Sequence, residues 1–303
     1  MRIALFAACT LPLAIAAATR TPIRIDVKAV TSSPSSTAAP APASAAPREA
    51  VPRRLDLVAN EFGFAGPSTV AAGRRVVSVR NRGRKLHHVQ LLRLSDGKGI
   101  ADVFAALRAD PSISRLPAWA TPVGGPSAAL PGATIESEVR LPAGRYAVIC
   151  WIPAEDGTPH FMRGMMMPLE VVDAGKDPAP STGPLTTVIV REYGFRFIAP
   201  TSPGRRTIRV ENVGSQPHEL LIVRLNPGAT LEQVAEWSEH GQLGPAPVAD
   251  WRGVAAIAPG RSALLSMDFE PGTYAVFCLS PDRGDGRPHL AHGMRRTFEV
   301  SAN

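Results

Sequence analysis

Residues 144–167 read GRYAVICWIPAEDGTPHFMRGMMM, and residues 272–294 read GTYAVFCLSPDRGDGRPHLAHGM. Each opens with a short run rich in Val, Tyr and Ile or Phe that starts at a glycine and stops before a proline, which is how strands are composed and punctuated. Each then crosses a loop containing Pro and Gly and reaches the same Pro-His and Gly-Met landmarks. One pattern is written twice, so each copy constrains the reading of the other.

The repetition continues outward. EFGF at 61–64 answers EYGF at 192–195, GRRVVSVRNRG at 73–83 answers GRRTIRVENVG at 204–214, and HHVQLLRL from His87 answers HELLIVRL from His218. The runs VVSVRN, TIESEVRL, TIRVEN and ALLSMDFE read as further strands, whereas IADVFAALRA and LEQVAEWSEH have helical spacing at the same place in each copy. The expected fold class is all-β: two tandem β-sandwich domains, each with one short helix in a crossover loop. The expected domains are residues 55–173 and 186–303, joined by the linker 174–185.

The first 18 residues, MRIALFAACTLPLAIAAA, have one arginine before an apolar run that ends in small residues. They read as an export signal, with a retained anchor as the alternative. Residues 19–54 are rich in Pro, Ala and Ser and read as a disordered linker. The expected location is periplasmic or secreted, with no stable membrane insertion once the signal is cleaved. The net charge of +7 sits mostly in that arm: residues 19–54 hold six Lys/Arg against two Asp/Glu, and residues 55–303 hold 26 against 24. A nearly neutral folded part without interleaved aromatics argues against nucleic acid. Six cations precede His87: Arg74, Arg75, Arg80, Arg82, Arg84 and Lys85. They read as a solvated strand face or as a docking patch for an acidic redox protein.

The side chains that recur are the informative ones. His87 matches His218, Cys150 matches Cys278, His160 matches His289, and Met165 matches Met294. Two His, one Cys and a weak axial Met form the ligand set of a blue-copper site. Met162, Met166 and Met167 do not recur as a set and read as packing residues. His88 is an alternative to His87, but Glu219 stands at its place in the second copy. A disulfide between Cys150 and Cys278 would have to join equivalent core positions of separate domains, which disfavours it.

These residues fall within Asn-x-Gly-x-x-x-His (Asn81, Gly83, His87; Asn212, Gly214, His218), Gly-x-Tyr-x-x-x-Cys, and Pro-His-x-x-x-Gly-Met. In this the chain resembles the cupredoxins over about 55–173 and 186–301. The resemblance implies Greek-key sandwiches and at most one type 1 copper ion per domain. It carries over His87, Cys150, His160 and Met165 as one ligand set, and His218, Cys278, His289 and Met294 as the other. The chain departs from small members of the family in the residues between Cys and loop His, nine in the first copy and ten in the second. Multicopper oxidases and nitrite reductases use His-x-His pairs and a His directly after the Cys, and this sequence has neither, so the chain is expected not to be an enzyme. The expected function is exported copper binding with electron transfer. The alternatives are copper handling or storage, and a binding module that has lost copper.

Overall fold

Alternation along the strands sorts side chains into layers. In TIESEVRL, Ile135, Ser137, Val139 and Leu141 are buried while Thr134, Glu136 and Arg140 face solvent, the period of two expected of a strand with one wet face. The computed structural model describes residues 53–174 and 185–302. The signal 1–18, nearly all of the tract 19–54 and most of the linker 174–185 therefore lie outside the described residues.

The first half comprises β1 (Arg54–Asn60), β2 (Gly63–Ala65), β3 (Thr69–Ala71), β4 (Gly73–Asn81), β5 (Gln90–Leu94), α1 (Ile100–Ala109), β6 (Ala120–Gly124), β7 (Thr134–Leu141), β8 (Gly144–Ile149) and β9 (Met166–Val172). The second half comprises β10 (Leu185–Arg191), β11 (Gly194–Arg196), β12 (Gly204–Asn212), β13 (His218–Leu225), α2 (Leu231–Glu239), β14 (Val248–Ile257), β15 (Ser262–Phe269), β16 (Gly272–Phe277) and β17 (Arg295–Val300). Both helices lie where the helical spacing puts them.

One sheet has eight strands in the order β11-β10-β12-β15-β7-β4-β1-β2, and the other nine in the order β17-β16-β13-β14-β6-β5-β8-β9-β3. Apart from β3, both orders read alike outward from the middle. There the halves join edge to edge, β15 on β7 through Ala263 and Val139 and β14 on β6 through Ile257 and Val123. Pairing these edges satisfies backbone groups that would otherwise remain open, and the described residues of both halves form one compact unit. The facing layers enclose one apolar core that runs through both halves, from Leu57 and Val79 to Val210 and Val276. The outer face of the nine-stranded sheet is covered too. Val103 and Leu107 of α1 pack on Leu92, Ala147 and Ile149, and Leu231 and Val234 of α2 pack on Val223, Ala275 and Phe277. The sheet is therefore buried on both sides where it carries Cys150 and Cys278. Among the described residues, no helix is long and apolar enough to cross a membrane.

Candidate metal centres

Strand periodicity delivers the thiols. Along β8 and the residue after it, Tyr146, Val148 and Cys150 face the sandwich core, while Ala147 and Ile149 face α1. Tyr274, Val276 and Cys278 repeat the arrangement, with Ala275 and Phe277 facing α2. The tyrosine of each motif fixes the start of its strand: Tyr146 donates to the Pro142 carbonyl at 2.7 Å and Tyr274 to the Glu270 carbonyl at 3.1 Å. Both cysteines are free and buried.

The first histidine of each copy is held by the asparagine of Asn-x-Gly-x-x-x-His. The Asn81 amide donates to the carbonyls of Lys85 and Ala129 at 2.6 and 2.8 Å and accepts from the Gly83 N–H at 2.8 Å. Asn212 does the same to Gln216, Ile257 and Gly214, at 2.8 Å each. The intervening loop is thereby folded into a fixed shape that presents His87 and His218 to the core. A glycine is required in it, because a Cβ at position 83 would lie 2.6 Å from His87 Nε2, and one at 214 would lie 2.9 Å from His218 Nε2.

The loop after each cysteine returns on itself despite its length. Its extra residues form a small hairpin closed by bridges between Pro153 and Pro159 and between Pro281 and Pro288. A one-turn 3₁₀ helix follows, His160–Arg163 in one half and His289–His292 in the other. The Cys150 carbonyl accepts from the Phe161 N–H at 3.0 Å and the Cys150 N–H donates to the Met165 carbonyl at 3.2 Å. Cys278 makes the matching bonds with Leu290 and Met294 at 2.8 and 3.3 Å. Three of the four recurring residues in each half are thus drawn together by backbone hydrogen bonds. His160 Nδ1 lies 3.6 Å from Cys150 Sγ, and His289 Nδ1 lies 3.5 Å from Cys278 Sγ. In each set, His87–Cys150–His160 and His218–Cys278–His289, one donor atom per residue lies within 4.8 Å of the others. All six of these residues, with Met165 and Met294, are 0 % exposed. The clusters sit in an all-β fold of two sheets.

The donor atoms suit a metal. Burial pushes His87, His160 and His289 down to about 4, with the charge of the partner imidazole adding to the effect at His160 and His289, and it also lowers His218. The imidazoles are therefore neutral at pH 7, with lone pairs available. His87 Nδ1 and Nε2, His218 Nδ1 and Nε2, His160 Nε2 and His289 Nε2 are buried without a hydrogen-bond partner, a costly state that a bound cation relieves for a donor lone pair. Burial also drives both thiols up to about 12, so a metal that takes the thiolate must displace a proton.

Several residues around these centres, apart from His88, were not singled out by sequence. The EFGF and EYGF landmarks are the β1–β2 and β10–β11 turns, with Phe62 and Tyr193 in the left-handed region at φ 62° and 59°. The turns lay Phe62 edge-on to His160 at 5.1 Å and Tyr193 edge-on to His289 at 5.6 Å. Glu192 Oε1 stands 3.5 Å from His218 Nε2. Asp282, 7 % exposed, stands 3.9 Å from His289 Nε2 and accepts from the Tyr193 hydroxyl and the Gln216 amide at 2.7 and 2.8 Å. His88 Nδ1 lies 3.4 Å from Cys150 Sγ, so His88 flanks the thiol while His87 joins the cluster. Recurrence of EFGF and EYGF was the available signal, since two landmarks of like sequence occupy like places.

The six cations do not form one face. Arg75 is buried on the carbonyls of Ala71, Ala72 and Arg74, Arg74 pairs with Glu138, and Lys85 pairs with Glu155, which leaves Arg80, Arg82 and Arg84 exposed.

No protein-family model and no curated protein matches the chain. Matching solved structures include auracyanin A, a "blue" copper protein from Chloroflexus aurantiacus, at 25 % identity, 40 % of this chain and 99 % of that one, TM-score 0.29. A multicopper oxidase matches at 14 % identity over 85 % of this chain and 92 % of its own, TM-score 0.25. A copper-containing nitrite reductase from Thermus scotoductus matches at 14 % identity over 82 % of this chain and 61 % of its own, TM-score 0.22. Such low scores leave the reading of the centres to their own geometry.

The expectation that the chain is not an enzyme is corrected. The exclusion rested on motifs read along the chain, and the solved structures similar to it include those of a multicopper oxidase and a copper-containing nitrite reductase. Folding does not respect that ordering. His88 is 62 residues from Cys150 and still places an imidazole at its sulfur, so the lack of His-x-His and Cys-His does not rule out a class.

Proposed function

We propose that the chain is an exported electron-transfer protein built of two tandem cupredoxin-like domains, residues 55–173 and 186–303. Type 1 copper would be held by His87, Cys150, His160 and Met165 in one domain and by His218, Cys278, His289 and Met294 in the other. The observation that carries this reading is a buried thiol beside two buried neutral imidazoles with unpartnered ring nitrogens, present twice. Imidazole, thiolate and thioether together suit copper in both oxidation states, and bound copper supplies a one-electron redox step.

The chain's own residues supply the rigidity. Asn81 and Asn212 pin the first histidines, strand ends carry the cysteines, and hydrogen bonds from Cys150 and Cys278 to the loop hold the second histidine and the methionine beside them. A frame that does not move lowers the reorganisation that accompanies electron transfer. The burial of every donor favours a resident ion over one exchanged with solvent. Exposed Arg80, Arg82 and Arg84 beside the first centre support an acidic redox partner.

The test is to express residues 19–303, add Cu(II) and record the visible spectrum through a cycle of reduction and reoxidation. The expected result is an intense thiolate-to-copper band that bleaches and returns. A colourless protein that binds no copper contradicts the reading, and copper bound without that band replaces it with copper handling.

A further inference from the structure

The two centres share their donor atoms but not the charges next to them. In the second, Glu192 and Asp282 lie 3.5 and 3.9 Å from the Nε2 atoms of His218 and His289. Asp282 is fixed there by Tyr193, by Gln216 and by the N–H groups of Gly284 and Asp285. The corresponding residue of the first loop is Ala154, two places before an Asp-Gly turn as Asp282 is three before its own. The first centre therefore has one such carboxylate, Glu61, which accepts from the Arg84 N–H next to His87. His160 has positive neighbours instead, Arg163 and Lys85, although both are paired, with Asp156 and Glu155.

The sulfur atoms differ as well. His88 Nδ1 lies 3.4 Å from Cys150 Sγ. At its position the second half has Glu219, whose carboxylate accepts from the Leu279 N–H at 2.8 Å, and among the described residues no imidazole other than His289 is hydrogen-bonded to Cys278 Sγ.

We infer that the chain holds its two centres at different reduction potentials, the first above the second, through Asp282 and its replacement by Ala154 and through His88 and its replacement by Glu219. The inference rests on the copper reading above. Reduction adds one electron to a centre and removes one unit of positive charge. A fixed carboxylate at the edge of a ligand imidazole makes that imidazole a stronger donor and favours the oxidised ion. An N–H directed at the cysteine sulfur withdraws electron density and favours the reduced ion. These two differences act in one direction and are opposed by the Ser280 side chain, which hydrogen-bonds Cys278 Sγ where the first half has Ile152. With Asp282 and His88 outweighing it, a single electron from an added one-electron reductant settles on the first centre.

The test is a redox titration of the copper-loaded full chain, following the thiolate band, in Cys278→Ser, which keeps the first centre, and Cys150→Ser, which keeps the second. The first midpoint is expected to lie above the second by at least about tenfold in equilibrium constant, about 59 mV for one electron. Asp282→Asn, close to isosteric, raises the second midpoint and leaves the first, and His88→Gln lowers the first alone. If Asp282→Asn does not fold, Ala154→Asp is the converse variant and lowers the first midpoint. Equal or reversed midpoints overturn the ordering, and midpoints that ignore these substitutions overturn its cause. A purely structural role would lower copper content or thermal stability without moving a midpoint. A chain with no thiolate band overturns the copper reading itself, a different result from bands whose midpoints coincide.

Discussion

The two halves agree in the frame of the centre and diverge one residue further out. Asn81 and Asn212 make the same three hydrogen bonds, Cys150 and Cys278 the same two backbone bonds. Phe62 and Tyr193 take the same strained turn. Yet Ala154 stands where the second half has Asp282, His88 where it has Glu219, and Phe62 where it has a tyrosine whose hydroxyl reaches Asp282. Where the two copies coincide, the residues hold donor atoms in place. Where they differ, the residues set the electrostatics those atoms experience.

The largest expected effect tests the shared frame. Asn81→Ala and Asn212→Ala each remove three hydrogen bonds and strand buried backbone groups, at a cost of about 3 kcal/mol. Urea unfolding should show comparable losses for the two variants, and a neutral result for either breaks the equivalence of the halves. Next come Gly83→Ala and Gly214→Ala. The added carbon meets an imidazole nitrogen and a glutamate oxygen at 2.6 and 2.9 Å in one half and at 2.9 and 2.7 Å in the other. Overpacking of this kind costs about 1–3 kcal/mol and should displace the histidine, seen as loss of one copper per variant.

A pH series sharpens the comparison. Burial holds His87, His88 and His160 of the first half below their ordinary 6.5, and His218 and His289 of the second. A lowered folded-state value means that the unfolded chain takes up protons first. Stability is thus fully present above about 6.5 and is lost as pH falls toward 4. The unfolding midpoint of the metal-free protein should drop across that window, and His88→Gln should flatten the drop. The smallest effect belongs to Tyr193→Phe, which removes the hydroxyl from Asp282 and costs about 1 kcal/mol. Thermal melts should register a slightly lower midpoint, with the copper band of the first half unchanged.

Much of this was legible in the sequence because strands and tight loops translate local pattern into position. The Gly-x-Tyr-x-x-x-Cys spacing places tyrosine and cysteine on one face, and Asn-x-Gly-x-x-x-His encodes a loop closed by its own asparagine. The return of His160 across nine residues was not legible, since it depends on Pro153–Pro159 pairing and on backbone hydrogen bonds that any sequence can make. Nor was the joining of the halves into two shared sheets, because an edge strand does not announce its partner. Asp282 escaped for a related reason, and His88 was weighed only as an alternative to His87. Repetition marks what two copies share, and the residues that separate the centres are those that do not recur.

Copper content per chain, measured on the purified wild type, Cys150→Ser, Cys278→Ser and the double variant after loading and gel filtration, tests the central claim most directly. The account predicts about two, one, one and none, with the thiolate band scaling in step. Copper that is absent from the wild type, or that persists in the double variant, would contradict it.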